Sequence, residues 1–354
     1  MARKSETYAK KMIIFTTGRN HLYRLAIFLQ SQNCLELLVV LWPRFKFKKV
    51  AKVWSLFFFN LWLIRLIFPI RIVLRLLLRA NGSKILVDVN LLKYLPEKHV
   101  YNVYIDMPTL YWKKQDEKWS KEERLTGIPI ERKSRTRDYM SETDKYFEHA
   151  KHIIVPTKQS QYSLPKSLRV KSKVIPFVGY DLPNQFIISF PNTIEKIICI
   201  GLVCPSKGWH YMIQGLNRTQ SHVCLEFYGR INQDYRDYLI SLASSSIQLN
   251  FNGHVKENLL NEAIVNSDLC IHSSVSEGLP LSLLNSLKMG TPVFCSRDSN
   301  MSEILPDVFM YDTYDVNNFA QKFLDLPKNL TITITQEFLL KKNIESLWLK
   351  LIRD

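Results

Sequence analysis

Glu277 and Asn285 stand eight residues apart in SSVSEGLPLSLLNSLKMGTPV, and Gly278, Leu279, Pro280 and Leu281 lie between a polar loop and an apolar helical repeat. The free N–H groups at such a helix start form a natural site for an anion such as a diphosphate. A carboxylate beside an anion site needs a compensating role. Accepting hydrogen bonds from sugar hydroxyls provides one, because a carboxylate only accepts and a hydroxyl donates. The plainer alternative is a capping box, since Ser274 and Glu277 have that spacing, but Gly278 and Pro280 follow too soon for a helix beginning at Ser274. Asn285 taken alone reads as a helix-surface amide.

The elements around these residues punctuate clearly. Leu269 to Ile271 predicts a strand and Ser273 to Glu277 a loop. Pro280 suits the first turn of a helix with apolar Leu281, Leu283, Leu284 and Leu287, which Gly290 and Pro292 stop, and Val293 to Cys295 predicts the next strand. Strand, loop, helix, strand is the unit of a parallel doubly wound sheet, which binds ligands at the carboxyl ends of its strands.

SEGLPLSLLNSLKMGTPV resembles the nucleotide-sugar signature of glycosyltransferase family 4, retaining enzymes of the GT-B fold, in which two glutamates stand eight positions apart. Glu277 matches the first, which contacts the donor sugar in the family; Asn285 replaces the second, which contacts the ribose. A second match is GLVCPSKGWHYMIQGL. Gly201, Lys207 and Gly208 agree with the family, but Leu202 occupies the place of an arginine, so half of the basic diphosphate clamp is missing unless Arg19 or Arg230 substitutes. The resemblance implies that Val255 approaches the base through its backbone and that Glu303 matches a later family glutamate. It further implies that Gly18, between the first strand and helix, lets the backbone approach the donor, and that Asp106 stands where the family often has a histidine near the reacting sugar. The bland reading of Asp106 is a turn residue before Pro108, and of Gly18 a tight turn.

The resemblance thus implies an α/β chain of two Rossmann-like doubly wound domains facing across a cleft. Expected boundaries are residues 1–182 for an acceptor-binding domain, 183–196 for a linker, 197–334 for the nucleotide-sugar domain and 335–354 for a helix returning to the first. Within the first domain, expected strands are Met12 to Thr16, Leu35 to Leu41, Lys84 to Val89, Val100 to Ile105, His152 to Pro156 and Val174 to Phe177. Tyr111 to Tyr139, with mixed charges and interrupted by Gly127 and Pro129, reads as a loop or short helices, and Ser141 to Ala150 as a helix.

Charge is distributed unevenly over the 354 residues. Residues 1 to 190 hold 34 Lys plus Arg against 15 Asp plus Glu, a net +19, and the remainder holds 14 against 17, a net −3. Such a basic half implies an anionic partner, either a membrane surface or a nucleic acid. The insert at residues 44–80 favours the membrane. Its longest uncharged run, Val53 to Ile64, has 12 residues, too few for a span of about 20. At about 100° per residue Arg65, Arg71, Arg75 and Arg79 fall within an arc of roughly 120°, as in a helix lying in the membrane interface. Lys48, Lys49 and Lys52 add attraction to anionic lipid, and Trp54 and Trp62 suit the headgroup level. A buried helical pair with snorkelling arginines is the structural alternative. Nucleic acid is disfavoured, because the basic residues alternate with leucine and phenylalanine and no nucleic-acid motif occurs.

The six cysteines show no CxxC pair, and no DxD triplet occurs. No metal or other cofactor is expected, and the polar, basic start of the chain suggests a protein on the cytoplasmic face of a membrane. The expected function is transfer of a hexose-like sugar from a nucleotide-diphosphate sugar to a lipid-linked saccharide, with a non-catalytic sugar or nucleotide binder as the alternative.

Overall fold

The run MIIFT forms β1 (Met12–Thr16), with Met12, Ile13 and Ile14 buried. A strand without polar alternation belongs in a parallel sheet covered on both faces. The computed structural model describes residues 11–16, 21–40, 49–51, 53–55, 84–88, 101–104, 109–130, 147, 150–176, 182–336 and 339–353. After β1 come α1 (His21–Ser31), β2 (Leu35–Val40), β3 (Val53–Ser55), β4 (Lys84–Asp88), β5 (Tyr101–Tyr104), α2 (Thr109–Thr126), β6 (Ala150–Val155), α3 (Lys158–Tyr162), α4 (Lys166–Arg169) and β7 (Ser172–Val174). The seven strands form one parallel sheet in the order β3-β2-β1-β4-β5-β6-β7. The order reverses direction at β1, as a doubly wound sheet requires.

A second sheet repeats the plan. The chain continues through β8 (Gln185–Phe190), β9 (Lys196–Ile200), α5 (Trp209–Thr219), β10 (Val223–Tyr228), α6 (Gln233–Leu242), β11 (Ile247–Gly253), α7 (Glu257–Val265), β12 (Leu269–His272), α8 (Leu281–Lys288), β13 (Val293–Ser296), β14 (Met310–Tyr311), α9 (Val316–Leu324) and β15 (Leu330–Thr335), before α10 (Lys341–Arg353), with β8 and β15 forming a separate two-stranded sheet. In the second sheet the parallel order is β11-β10-β9-β12-β13-β14, with the reversal at β9. Helix starts are fixed locally: Asn232 accepts from the Tyr235 N–H to open α6, and Asp315 accepts from Asn317 and Asn318 to open α9. Gly215 lets α5 and α9 close up, since a Cβ there would lie 2.2 Å from the Phe319 ring.

The chain divides into two compact units. One comprises residues 1–110, 134–181 and 338–354, and the other residues 111–133 and 182–337. Segment 338–354, containing α10, groups with the first unit, where Trp348 donates to the Pro176 carbonyl. Residues 111–133, placed with the first domain by the sequence, group with the second.

Three expectations are corrected. Tyr111 to Thr126 is one continuous helix, because Gly127, in the left-handed region at φ +68°, and Pro129 both lie beyond its last residue and end it instead of interrupting it. The segment expected as a linker contains β8, in which Phe186, Ile188 and Phe190 are buried while Gln185, Ile187 and Ser189 face outward. This strand pairs antiparallel with β15, and Phe190 stacks on Phe309 at 5.5 Å. Within the basic apolar insert, expected to be helical, residues 53–55 form β3 at the edge of the first sheet. Its residue Trp54 lies opposite Val39, so the β-branched and aromatic residues there act as strand formers. Lys49 is exposed in a turn before it. Lys48, Lys52, Trp62, Arg65, Arg71, Arg75 and Arg79 lie outside the described residues, as do Gly18, Arg19 and Asp106 and most of the helix expected at 141–150. All six cysteines are free, with Cys199, Cys270 and Cys295 buried.

Candidate functional site

β9 and β12 are neighbours at the point where the second sheet's order reverses, and their carboxyl ends lead into two loops laced together. After β9 the chain passes Gly201, makes a single 3₁₀ turn at Pro205–Lys207 and enters α5 through Gly208. Gly208 has φ +61°, and a Cβ there would sit 2.2 Å from the carbonyl oxygen of Ser273, just beyond β12. Only glycine fits this approach. Ser273 Oγ donates to the Lys207 carbonyl at 3.0 Å, and the Val275 N–H donates to Ser206 O at 3.2 Å.

That lacing brings the Lys207 ammonium onto the Glu277 carboxylate as a hydrogen-bonded ion pair. The main chain of Glu277 is held separately. Its N–H donates to Asp298 O at 3.0 Å, and Asn300 Nδ2 donates to the carbonyls of Glu277 and Gly278. Asn300 occupies the left-handed region at φ +58°, a conformation asparagine tolerates. It is a site residue that the sequence reading passed over. Its signal was an asparagine after a strand end, at a turn.

His272 completes the cluster, with Nε2 3.6 Å from Glu277 Oε1 and Nδ1 3.0 Å from Ser299 Oγ. Burial, opposed by Glu277 and reinforced by Lys207, pushes its pKa down to about 4. Burial alone would raise the Glu277 carboxyl, but Lys207, His272 and hydrogen bonds from Lys207 and Ser274 outweigh it and hold the group below its ordinary value. Glu277 is therefore a carboxylate and His272 a neutral imidazole at neutral pH.

Acid should weaken this arrangement in a defined window. A histidine with a lowered folded pKa binds its proton more readily when unfolded, so stability falls as pH drops from about 6.5 to about 4. The full effect is up to roughly 3 kcal/mol. His272→Asn is expected to flatten the pH dependence of the melting temperature across that window. Glu277 contributes in the same sense at lower pH, its stabilisation being lost as pH falls through its own depressed value.

The other expected residues of this unit lie before or on α8 and just beyond β9, β10 and β11. Pro280 precedes α8 and supplies no side-chain cap, leaving the helix start without one at the carboxyl edge of the sheet. Leu279 and Pro280 are buried, while Leu281 and Asn285 are half-buried on α8. Val255 is half-buried just past the end of β11, and Arg230 is exposed after Gly229. Leu202 is 40% exposed beyond β9, and its carbonyl accepts from Trp209 Nε1 at 3.0 Å. Among the described residues no three His, Cys, Asp or Glu side chains converge as a metal site.

Residues 194–329 match the family model of glycosyl transferases group 1. No curated protein matches the chain. Solved structures share the fold at low identity. The lipopolysaccharide outer core galactosyltransferase WaaB is 13% identical at a TM-score of 0.64, over 97% of this chain and 98% of that one. Anabaena Alr3699/HepE, solved with UDP and glucose, is 13% identical at 0.56, over 97% and 94%. Sucrose-phosphate synthase from Thermosynechococcus elongatus is 11% identical at 0.61, over 97% and 94%. The chain thus has the GT-B fold of these glycosyltransferases, and its residues 194–329 are similar to a glycosyl transferases group 1 domain.

Proposed function

We propose that the protein is a retaining glycosyltransferase that needs no metal and moves a hexose-like sugar from a nucleoside-diphosphate sugar to a lipid-linked saccharide. The observation that carries the reading is the Lys207–Glu277 pair at the carboxyl ends of β9 and β12, beside the start of α8. In this reading Lys207 and the first-turn N–H groups of α8 meet the diphosphate, Glu277 accepts bonds from hydroxyls of the donor sugar, and Asn285 binds the ribose. Val255 meets the base through its backbone, and Gly18, Arg19 and Asp106, which lie outside the described residues, take the donor and reacting-sugar roles that the resemblance implies. The sugar carbon's bond to the diphosphate oxygen breaks and its bond to the acceptor oxygen forms on the same face, with the acceptor's proton passing to a phosphate oxygen. The charge growing on the leaving diphosphate is stabilised by groups already in place.

The proposed acceptor and location, a lipid-linked saccharide at the cytoplasmic face of a membrane in lipopolysaccharide, O-antigen or capsule assembly, rest on the basic, apolar insert at residues 44–80. The fold shared with WaaB, whose description names an outer core galactosyltransferase, supports that direction. No helix among the described residues is long and apolar enough to cross a membrane. The direct test supplies UDP-, GDP- and ADP-linked radiolabelled sugars with bacterial membranes and measures label entering the lipid-extractable fraction. Transfer from one nucleotide in the presence of EDTA is expected; label remaining in the aqueous phase with every donor would contradict the reading. Leu202, an exposed apolar side chain where the resemblance calls for a basic one, favours a second reading, a non-catalytic binder. Donor binding without turnover would identify it.

A further inference from the structure

α2 lies in sequence between β5 and β6 of the first sheet, yet residues 111–133 group with the second unit. Its contacts there are of two kinds. The deeper one centres on Glu122, whose side chain is wholly buried. Glu122 Oε2 lies 3.0 Å from His210 Nε2, and Tyr211 Oη donates to Glu122 Oε1 at 3.0 Å. His210 Nδ1 meets Tyr235 Oη at 2.7 Å. Burial, and then the charge and hydrogen bond of Glu122, push the Tyr211 phenol far up, so it stays a donor. A polar side chain this dry needs polar company, and Glu122 finds it in the second unit, in a hydrogen bond from Tyr211 and the close approach of His210, which makes the cluster an anchor specific to α2. His210 and Tyr211 lie in the first turn of α5, which Trp209 opens directly after Lys207 and Gly208.

One turn earlier on the same helix face, Lys118 reaches the loop that bears Glu277. Its Nζ lies 2.6 Å from Asp298 Oδ1 and donates to the Val275 carbonyl at 3.0 Å. These two residues bracket Glu277. Val275 precedes it by two positions, and the Asp298 carbonyl accepts the Glu277 N–H. Lys121 adds a contact over the Tyr314 ring at 3.8 Å.

We propose that α2 is a strap that fixes the Glu277 loop, with Glu122 as its buried anchor and Lys118 as the positioning residue that sets where the Glu277 main chain stands. The proposal rests on the reading of Glu277 as a donor contact. The strap itself needs no substrate to be detected. A hydrogen bond from a charged donor contributes substantially more than a neutral one, so its loss should register as local opening without global unfolding.

The test compares wild type, Lys118→Met and Lys118→Arg in the full chain by amide hydrogen exchange and by donor kinetics. In Lys118→Met, amides at residues 275–279 should exchange about tenfold faster at an unchanged melting temperature, with Lys118→Arg restoring protection. The donor KM should rise by a similar factor, with kcat changed less. Unchanged exchange at 275–279 in Lys118→Met would overturn the strap. Faster exchange with wild-type KM and kcat would overturn the positioning role. If the wild type neither binds nor turns over a donor, the donor reading fails on its own, and the exchange measurement still decides whether α2 holds the loop.

Discussion

Glu277→Gln is expected to lower sugar transfer at least about a hundredfold while the protein stays folded. The two halves of this expectation come from different bonds. The carboxylate meets Lys207, Ser274 and His272, and the amide keeps its shape but loses its charge and half of its accepting capacity. The main chain is held by Asp298 and Asn300, which the substitution does not touch. Lys207 loses its partner but is partly exposed, with 20% of its side chain accessible, so its charge can be met by water. The stability cost should therefore stay near about 1 to 2 kcal/mol, well below the loss from stranding a fully buried charge. Transfer is read with the labelled donor and folding by thermal melting. A variant that melts far below wild type would return Glu277 to a structural role.

Gly208→Ala should be among the most damaging single methyl groups in the second unit. An alanine at φ +61° costs roughly 1 to 2 kcal/mol by itself. The larger effect is the collision, since the new Cβ would lie 2.2 Å from the Ser273 carbonyl oxygen, which is backbone and has nowhere to swing. Gly253→Ala is the matched control, with φ +69° and nothing within 4 Å of the added Cβ. Gly208→Ala is expected to cost at least about 3 kcal/mol, a melting shift of roughly 6 to 12 °C for a unit of this size, and to abolish donor binding by parting Lys207 from Glu277. Gly253→Ala should show only the backbone strain. Equal losses in the two variants would mean that the close approach of the two loops is not what holds the site.

The parallel sheets were legible because their strands are apolar runs bounded by glycine and proline, as at Met12 to Thr16 and Leu269 to Ile271. Glu277 and Lys207 were legible as separate motifs 70 residues apart, and the two loops join them. What escaped was set by tertiary pairing. The alternation in QFIISF was visible, but Pro183 and Pro191 made the segment read as a linker, and only β15 gives it a partner. β3 was hidden in a composition that reads equally well as an interfacial helix. α2 looks broken in the sequence because Gly127 and Pro129 read as interruptions, whereas they mark its end. The role of Glu122 was beyond sequence reading altogether, since nothing local distinguishes it from Glu123; its partners His210 and Tyr211 lie almost 90 residues away.

The most direct measurement is the melting temperature of the full chain with UDP, GDP, ADP and their sugar conjugates, each with and without EDTA, for wild type and Glu277→Gln. The account predicts a rise with one nucleotide family that survives EDTA, larger for the sugar conjugate than for the bare diphosphate, with that extra increment lost in Glu277→Gln. No rise with any of them, or an increment unchanged by Glu277→Gln, would contradict the assignment of this pair as a nucleotide-sugar site.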